Sequence, residues 1–220
     1  MYLFIITSVI NTPIKPLNYC NLRSIFNKEE RFEQTKNTIE SINKYIPEAS
    51  ILIVECSYLN IEEEKYLKKN SNYFINLYDN IEIRNKVYGL SKSLGEGTMT
   101  IEALKFIKNN NIIFDKLIKL SGRYKLNSDF NKQLLENNYI IVKKINNDKN
   151  NILTAFYKIQ YCNYINLLNF LIDNINMMNN GIGYELIFAI FINKYISEVI
   201  FIDKIGIEGK ISVCGSLYKG

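Results

Sequence analysis

The residues of this chain that could do chemistry gather where apolar strands end. Phe114-Asp115-Lys116-Leu117-Ile118-Lys119-Leu120 reads as a buried strand that runs directly into Ser121, Gly122, Arg123 and Tyr124. In open α/β sheets ligands bind outside the carboxyl ends of the strands. A glycine that lets backbone approach closely, followed by a guanidinium, therefore reads as an anion-binding edge, with phosphate the expected anion. The same residues also fit an ordinary Ser-Gly turn with a solvated arginine. Arg31 stands in the first turns of a helix whose N-terminal dipole attracts anions, and Arg23 in the loop before it. Their competing roles are a surface ion pair with Glu30 or Glu33 and an idle loop charge.

Carboxylates are fewer. Glu55, at a strand's carboxyl end, could accept hydrogen bonds from a ribose hydroxyl or base N–H, or could merely flank the next helix. Lys92 and Glu96 bracket the segment Lys92–Thr98, which includes Gly95 and reads as a glycine-bearing loop feeding a helix. It matches neither a Walker loop nor a G-x-G-x-x-G fingerprint. Glu96 also fits the far half of a cap beginning at Ser93. Glu185 follows Gly181-Ile182-Gly183-Tyr184 and sits among Leu186, Ile187 and Phe188, where desolvation would raise its proton affinity and suit it to act as a base; its other role is to stabilise a helix N-terminus.

The chain has no histidine, which excludes Ser-His and Cys-His dyads and every histidine metal site. Acid–base work falls to Asp, Glu, Lys, Tyr or Cys, and a metal would have to be a hard cation held by oxygen. Cys20, Cys56, Cys162 and Cys214 are scattered without a Cys-x-x-Cys pair, the pattern of unpaired thiols in a reducing compartment, so the expected location is cytoplasmic. A formal charge of +5 without a dense Lys/Arg block argues against nucleic acid as a partner and suits anionic metabolites or a peripheral contact with an anionic membrane surface. The apolar start Tyr2–Ile10 is too short to span a bilayer and reads as a first strand.

These residues must be positioned by elements. At 220 residues, 47% hydrophobic and 22% charged, with no Pro/Gly/Ser-rich linker, the chain is expected to form a single domain, 1–126 being a nucleotide-binding half and 127–220 the remainder. Strands are expected at Tyr2–Ile10, Ile51–Val54, Tyr73–Leu77 and Lys116–Leu120. Helices are expected from Asn27 to Pro47, Asn60 to Lys69 and through Ile101, Leu104 and Ile107. Asn27 with Glu30, and Asn60 with Glu63, are capping signals. This order implies parallel strands joined by right-handed crossovers. Beyond Tyr124 we expect a short helix near Asp129–Glu136, strands Tyr139–Lys144 and Ile152–Lys158, helices Tyr161–Met178 and Gly183–Tyr195, and strands Val199–Ile205 and Lys210–Val213, with Asn146–Asn151 a hairpin loop. The fold class is α/β: a mixed, mostly parallel sheet with an antiparallel edge and helices on both faces.

With this element order, Ile5-Ile6-Thr7-Ser8, Arg31-Phe32-Glu33-Gln34-Thr35, Val54-Glu55-Cys56-Ser57, Leu120–Tyr124 and Ile205–Val213 together resemble a GT-A type nucleotide-diphospho-sugar glycosyltransferase, most of all the small sugar transferases of bacterial and viral surface-polysaccharide pathways. The resemblance implies transfer of a sugar from a nucleotide-activated donor to a hydroxyl of a glycan or lipid-linked acceptor. It places Thr7, Ser8, Glu55 and Ser57 around the nucleoside, Ser121, Gly122 and Arg123 at the diphosphate, Lys92 and Glu96 near ribose or phosphate, and Tyr124 where it could stack on a sugar or base. It also implies an Asp-x-Asp motif holding Mg²⁺ or Mn²⁺. Ser-Gly-Arg stands there instead, so the usual divalent-metal site is missing from its place and no cofactor is expected, with Arg123 neutralising the departing phosphate. The alternatives are a different carboxylate, of which Asp129 is nearest, a catalytically silent binding or scaffold module, or a nucleotidyltransferase.

Overall fold

Apolar residues on both faces of the first strand decide the architecture. Successive side chains of a strand point to opposite faces, and Leu3 and Ile5 enter one core while Phe4 and Ile6 enter another. A strand buried on both faces must lie inside a sheet with helices on each side. The computed structural model describes residues 1–146 and 148–220.

From β1 (Tyr2–Ser8) the chain passes through α1 (Lys28–Tyr45), β2 (Ser50–Glu55), α2 (Ile61–Lys69), β3 (Tyr73–Asn76), α3 (Ile81–Val87), α4 (Lys92–Asn109) and β4 (Lys116–Ser121). It continues through β5 (Tyr124–Leu126), α5 (Gln133–Glu136), β6 (Ile140–Val142), β7 (Lys144–Ile145), β8 (Asp148–Ile152) and β9 (Phe156–Gln160). Last come α6 (Tyr161–Asp173), α7 (Ile175–Asn179), α8 (Tyr184–Lys194), a 3₁₀ turn at Ile196–Glu198, β10 (Val199–Phe201), β11 (Ile207–Lys210) and β12 (Leu217–Lys219). The main sheet has seven strands in the order β10-β6-β9-β4-β1-β2-β3. β9 is antiparallel to both β4 and β6, and the other pairings are parallel. Ile39, Ile42 and Ile46 of the α1 segment and Leu67 of α2 cover the Phe4 and Ile6 face; Leu104 and Ile107 of α4, Leu167 and Leu171 of α6 and Ile187 and Phe188 of α8 cover the other. Each such fully buried Ile, Leu or Phe is worth roughly 1.5–3 kcal/mol relative to exposure.

Both Asn caps form as reciprocal capping boxes: Glu30 N–H donates to Asn27 Oδ1 at 2.8 Å while Asn27 N–H donates to Glu30 Oε2 at 2.9 Å, and Asn60 and Glu63 repeat the arrangement. Other expectations are corrected. The antiparallel strand β9 lies inside the sheet, every residue buried, and β10 forms the edge. The helix expected from Tyr161 to Met178 breaks at Asn174. The Ile152–Lys158 strand divides between β8 and β9, and the last part of the Asn146–Asn151 run pairs as β8 with β7; Asn147 lies outside the described residues. α3, β5 and β12 were not anticipated, and the expected Lys210–Val213 strand is β11, three residues earlier. β5, β11 and β12 form a separate small antiparallel sheet. These strands are three or four residues long, too short to show an alternation that separates them from loops. Among the described residues no helix is long and apolar enough to cross a membrane.

The glycine segment Lys92–Thr98 is not a loop. It is the start of α4, capped by Ser91, whose hydroxyl accepts from Leu94 N–H at 3.1 Å, so Ser93 is not the cap. A Cβ on Gly95 would meet Val87 O at 3.1 Å, and one on Gly97 would fall on Met178 Sδ. The glycines admit close packing of neighbouring segments.

Lys158 on β9 is fully buried, its ammonium donating to Asn137 O at 2.7 Å and Asn137 Oδ1 at 2.9 Å. Burial, aided by Lys116, pushes its pKa down to about 7. The unfolded chain, with lysine near 10.5, therefore holds more protons between these values, so this residue makes stability rise with pH from about 7 to about 10.5. Chemical denaturation across that range should show the rise in the wild type and its loss in Lys158→Met.

Candidate functional site

Strand register assembles the site. Parallel pairing sets Ser8 beside Glu55 and Thr7 beside both Val54 and Ser121, bringing the ends of β1, β2 and β4 to one edge. A cleft of about 110 Å³ opens there, lined by Thr7, Ser8, Arg23, Arg31, Lys92, Gly95, Glu96, Ser121, Arg123 and Ser212 among others. A second pocket of about 210 Å³ shares Lys92 and Glu96 with it and adds Asn18, Tyr19, Ser93, Tyr184 and Glu185.

Four cationic side chains and one carboxylate line the first cleft. Arg31 does not pair with Glu30 or Glu33: Glu30 closes its capping box and Glu33 pairs with Lys36 at 3.0 Å. Its guanidinium is buried, with Nε donating to Val9 O at 2.6 Å and Nη1 to Ser212 Oγ at 3.4 Å. Burial, reinforced by nearby Arg123 and opposed by Glu55, pushes its pKa down to about 9, so it stays charged at neutral pH. Arg23 donates to the carbonyls of Lys15 at 3.1 Å, Val87 at 3.2 Å, Tyr88 at 3.3 Å and also Gly89. It pins the β1–α1 loop to the C-terminus of α3, a place that favours a cation. Arg123 is half-exposed and reaches Lys210 O at 3.4 Å.

Lys92 begins α4 between the two pockets; burial and Arg123 lower its pKa against Glu96 and Glu185. Burial raises that of Glu96, but Lys119, Lys92 and Arg123 outweigh it and the net shift is downward, so Glu96 is ionised. Glu185 lies in the first turn of α8, its proton affinity raised by burial and then by Glu96, against Lys92 and Lys119.

Four expected contact residues lie elsewhere. Glu55 and Ser57 are fully buried behind the cleft. The Glu55 carboxylate accepts from Ser8 Oγ, from Ser57 Oγ at 2.6 Å and from Ile10 N–H at 3.0 Å, so it braces the ends of β1 and β2 rather than meeting a nucleoside. Gly122 is pressed onto β1: its N–H donates to Thr7 O at 3.0 Å and a Cβ would meet that of Ser8 at 3.0 Å. The close approach that its glycine permits is therefore to protein. Tyr124 packs edge-on against Tyr218 in the core below α1, its carbonyl accepting from Thr38 Oγ1. The ring is buried, and the Arg123 guanidinium lies 5.6 Å from its centroid, so it packs against protein.

Sequence reasoning missed Lys119 and Ser212. Ser212 gave no signal, because the turn carrying it was read as strand. Lys119 did: a lysine within an apolar strand covered on both faces needs a buried partner.

Ser121, Gly122 and Arg123 stand where the resemblance implies Asp-x-Asp, and this donor set does not fit a divalent cation. It offers a hydroxyl and a guanidinium, and the neighbouring carboxylate of Glu96 is already paired with Lys119 at 2.5 Å. Among the described residues no group of three or more His, Cys, Asp or Glu side chains is placed to hold a metal. Asp129 is taken up by Lys204 at 3.1 Å and Lys219 at 3.6 Å; the hydrogen bond from Lys204 is the main cause that holds its pKa below the usual range.

Comparison with known proteins defines the class of fold. No family model and no curated protein matches the sequence. Among solved structures, core-mannan synthase A from Aspergillus fumigatus in its Mn/GDP form aligns with a TM-score of 0.56 at 8% identity, over 91% of this chain and 72% of the other. A nucleoside-diphosphate-sugar pyrophosphorylase from Vibrio cholerae RC9 aligns at 0.52 and 9% identity, over 94% of each chain. The fold is thus GT-A-like; at this identity the likeness is one of fold.

The buried Glu55 makes a measurable signature. Burial, opposed by hydrogen bonds from Ser57, Ser8 and Ile10, raises its pKa to about 7 from 4.5. The native state then holds more protons than the unfolded chain between these values, so the Glu55 contribution to stability is full below about 4.5 and lost as pH rises through about 7. Melting curves of the wild type and Glu55→Gln should diverge progressively across this window, the wild type losing ground as pH rises; parallel curves would contradict it.

Proposed function

We propose that this protein is a glycosyltransferase that moves a sugar from a nucleotide-activated donor to a hydroxyl of a glycan or lipid-linked acceptor, without a divalent metal. The observation that carries the reading is the convergence of Arg31, Lys92 and Arg123 on one cleft at the carboxyl ends of β1 and β4. Cations held close together in a partly dry cleft repel one another and stabilise an anion placed between them. A donor diphosphate is such an anion, and the fold is one in which nucleotide-sugar enzymes are built. Thr7 and Ser8 would meet the nucleoside side, and Arg123 would neutralise charge on the departing phosphate.

Glu185, in the adjoining pocket, would take the acceptor's proton. Its raised proton affinity suits a base, and activity should rise with pH as it ionises, above the ordinary glutamate range. Glu185→Gln should lower the transfer rate by about 10²–10⁴-fold and abolish that acid limb while leaving donor affinity nearly unchanged, measured by steady-state kinetics across pH and by calorimetry.

A thermal-shift screen of nucleotide sugars with and without Mg²⁺ and Mn²⁺ tests the whole reading. Stabilisation by a donor in the absence of metal, reduced in Arg123→Ala by roughly ten-fold in affinity, is expected. Dependence on Mn²⁺ would overturn the role of Arg123. Stabilisation by nucleoside triphosphates and sugar phosphates, with release of diphosphate on turnover, would favour nucleotidyl transfer instead.

A further inference from the structure

Lys119 is a cation with no surface. It lies on β4, between Leu117 and Ser121 on the face covered by α4, and is 0% exposed. Its ammonium donates to Glu96 Oε1 at 2.5 Å, Ser121 Oγ at 2.9 Å and Thr154 O at 2.6 Å. An ammonium has three donors, and all three are engaged. Lys119 therefore cannot turn to a ligand, and acts through what it holds.

Ser121 is what it holds at the cleft. A hydroxyl has one hydrogen to donate and two lone pairs to accept with. The Ser121 oxygen accepts from Lys119, and among the described residues its own hydrogen has no acceptor, while Ser121 lines the same cleft as Arg31 and Arg123. We propose that Lys119 is a positioning residue that fixes the Ser121 hydroxyl as a donor into the cleft, where with Arg31 and Arg123 it grips a diphosphate oxygen. The Glu96 carboxylate keeps the buried ammonium neutralised and so holds the lever in place. This deepens the proposed function, on which it rests for the identity of the anion.

Inorganic diphosphate is the probe, because it reports the grip without nucleoside or sugar contacts. Ser121→Ala should weaken its binding by roughly ten-fold; it also takes one acceptor from the buried ammonium, so the melting temperature of the protein without diphosphate should fall, and binding is read at a temperature where both proteins are folded. The same substitution made in a Lys119→Met/Glu96→Gln background, which removes both charges together, should cost little further, because the hydroxyl there is already free to turn. A purely structural Lys119 would leave the serine's effect the same in both backgrounds, and that result would overturn the proposal, as would a Ser121→Ala protein that binds diphosphate like the wild type. A wild type that does not bind diphosphate would overturn it too. Should the doubly substituted background not fold, the wild type alone decides: diphosphate titrated into lysine-¹⁵N-labelled protein should shift the Lys119 ammonium resonance, and an unmoved signal would sink the idea. Diphosphate binding that tracks Ser121 and Lys119 without stabilisation by any nucleotide sugar would leave this inference standing and remove the glycosyltransferase reading.

Discussion

The cleft depends on one electrostatic arrangement: guanidinium groups held in place by backbone carbonyls and hydroxyls in place of carboxylates. Arg23 donates to carbonyls alone, and Arg31 to Val9 O and Ser212 Oγ. Carbonyl dipoles orient a cation and offset part of its lost hydration, but they leave its charge uncancelled. Burial first, and the neighbouring charge of Arg123 second, lower the pKa of both Arg31 and Lys92, so positive charge is held in this cleft at a cost. An anion would relieve what the protein itself does not.

Glu96 is the exception that separates the two pockets. Lys119 and Lys92 keep it ionised despite its burial, while its charge contributes to raising the proton affinity of Glu185. Two carboxylates near the same lysines are thus driven apart in pKa, one toward the ionised form and one toward the protonated form. That is the pattern by which sites divide electrostatic work from proton transfer. The sheet makes it achievable, because α4 and β4 are rigid elements packed through a core and each presents one member of the Lys119–Glu96 pair.

Much of the fold was legible because the first four strands are long or apolar enough to declare themselves and because Asn27–Glu30 and Asn60–Glu63 are local signals acting over three residues. The short strands β5 and β12 were not, since three residues show no alternation that separates a strand from a loop, and the partner of β5, β11, lies far along the chain. The glycine segment misled for a related reason. Gly95 and Gly97 look like loop residues until Val87 and Met178 are seen against them, and tertiary packing then outweighs the intrinsic cost of glycine in a helix. At the site, Arg31, Lys92, Arg123 and Ser121 could be singled out by their place at element ends. The same logic misplaced Glu55, Gly122 and Tyr124, because position at a strand end does not reveal which way a side chain turns.

The sequence by itself determined the α/β class, the order of crossovers, the absence of histidine chemistry and the substitution of Ser-Gly-Arg for an acidic pair. These follow from residue type and local periodicity. Only the tertiary structure decided which charges share a space: that Arg31 is buried beside Arg123, that Lys119 meets Glu96 and Ser121, and that Glu55 is sealed behind the cleft. The physical reason is that pairing and desolvation depend on distances of a few ångströms between residues far apart in the chain, and no local pattern encodes those distances.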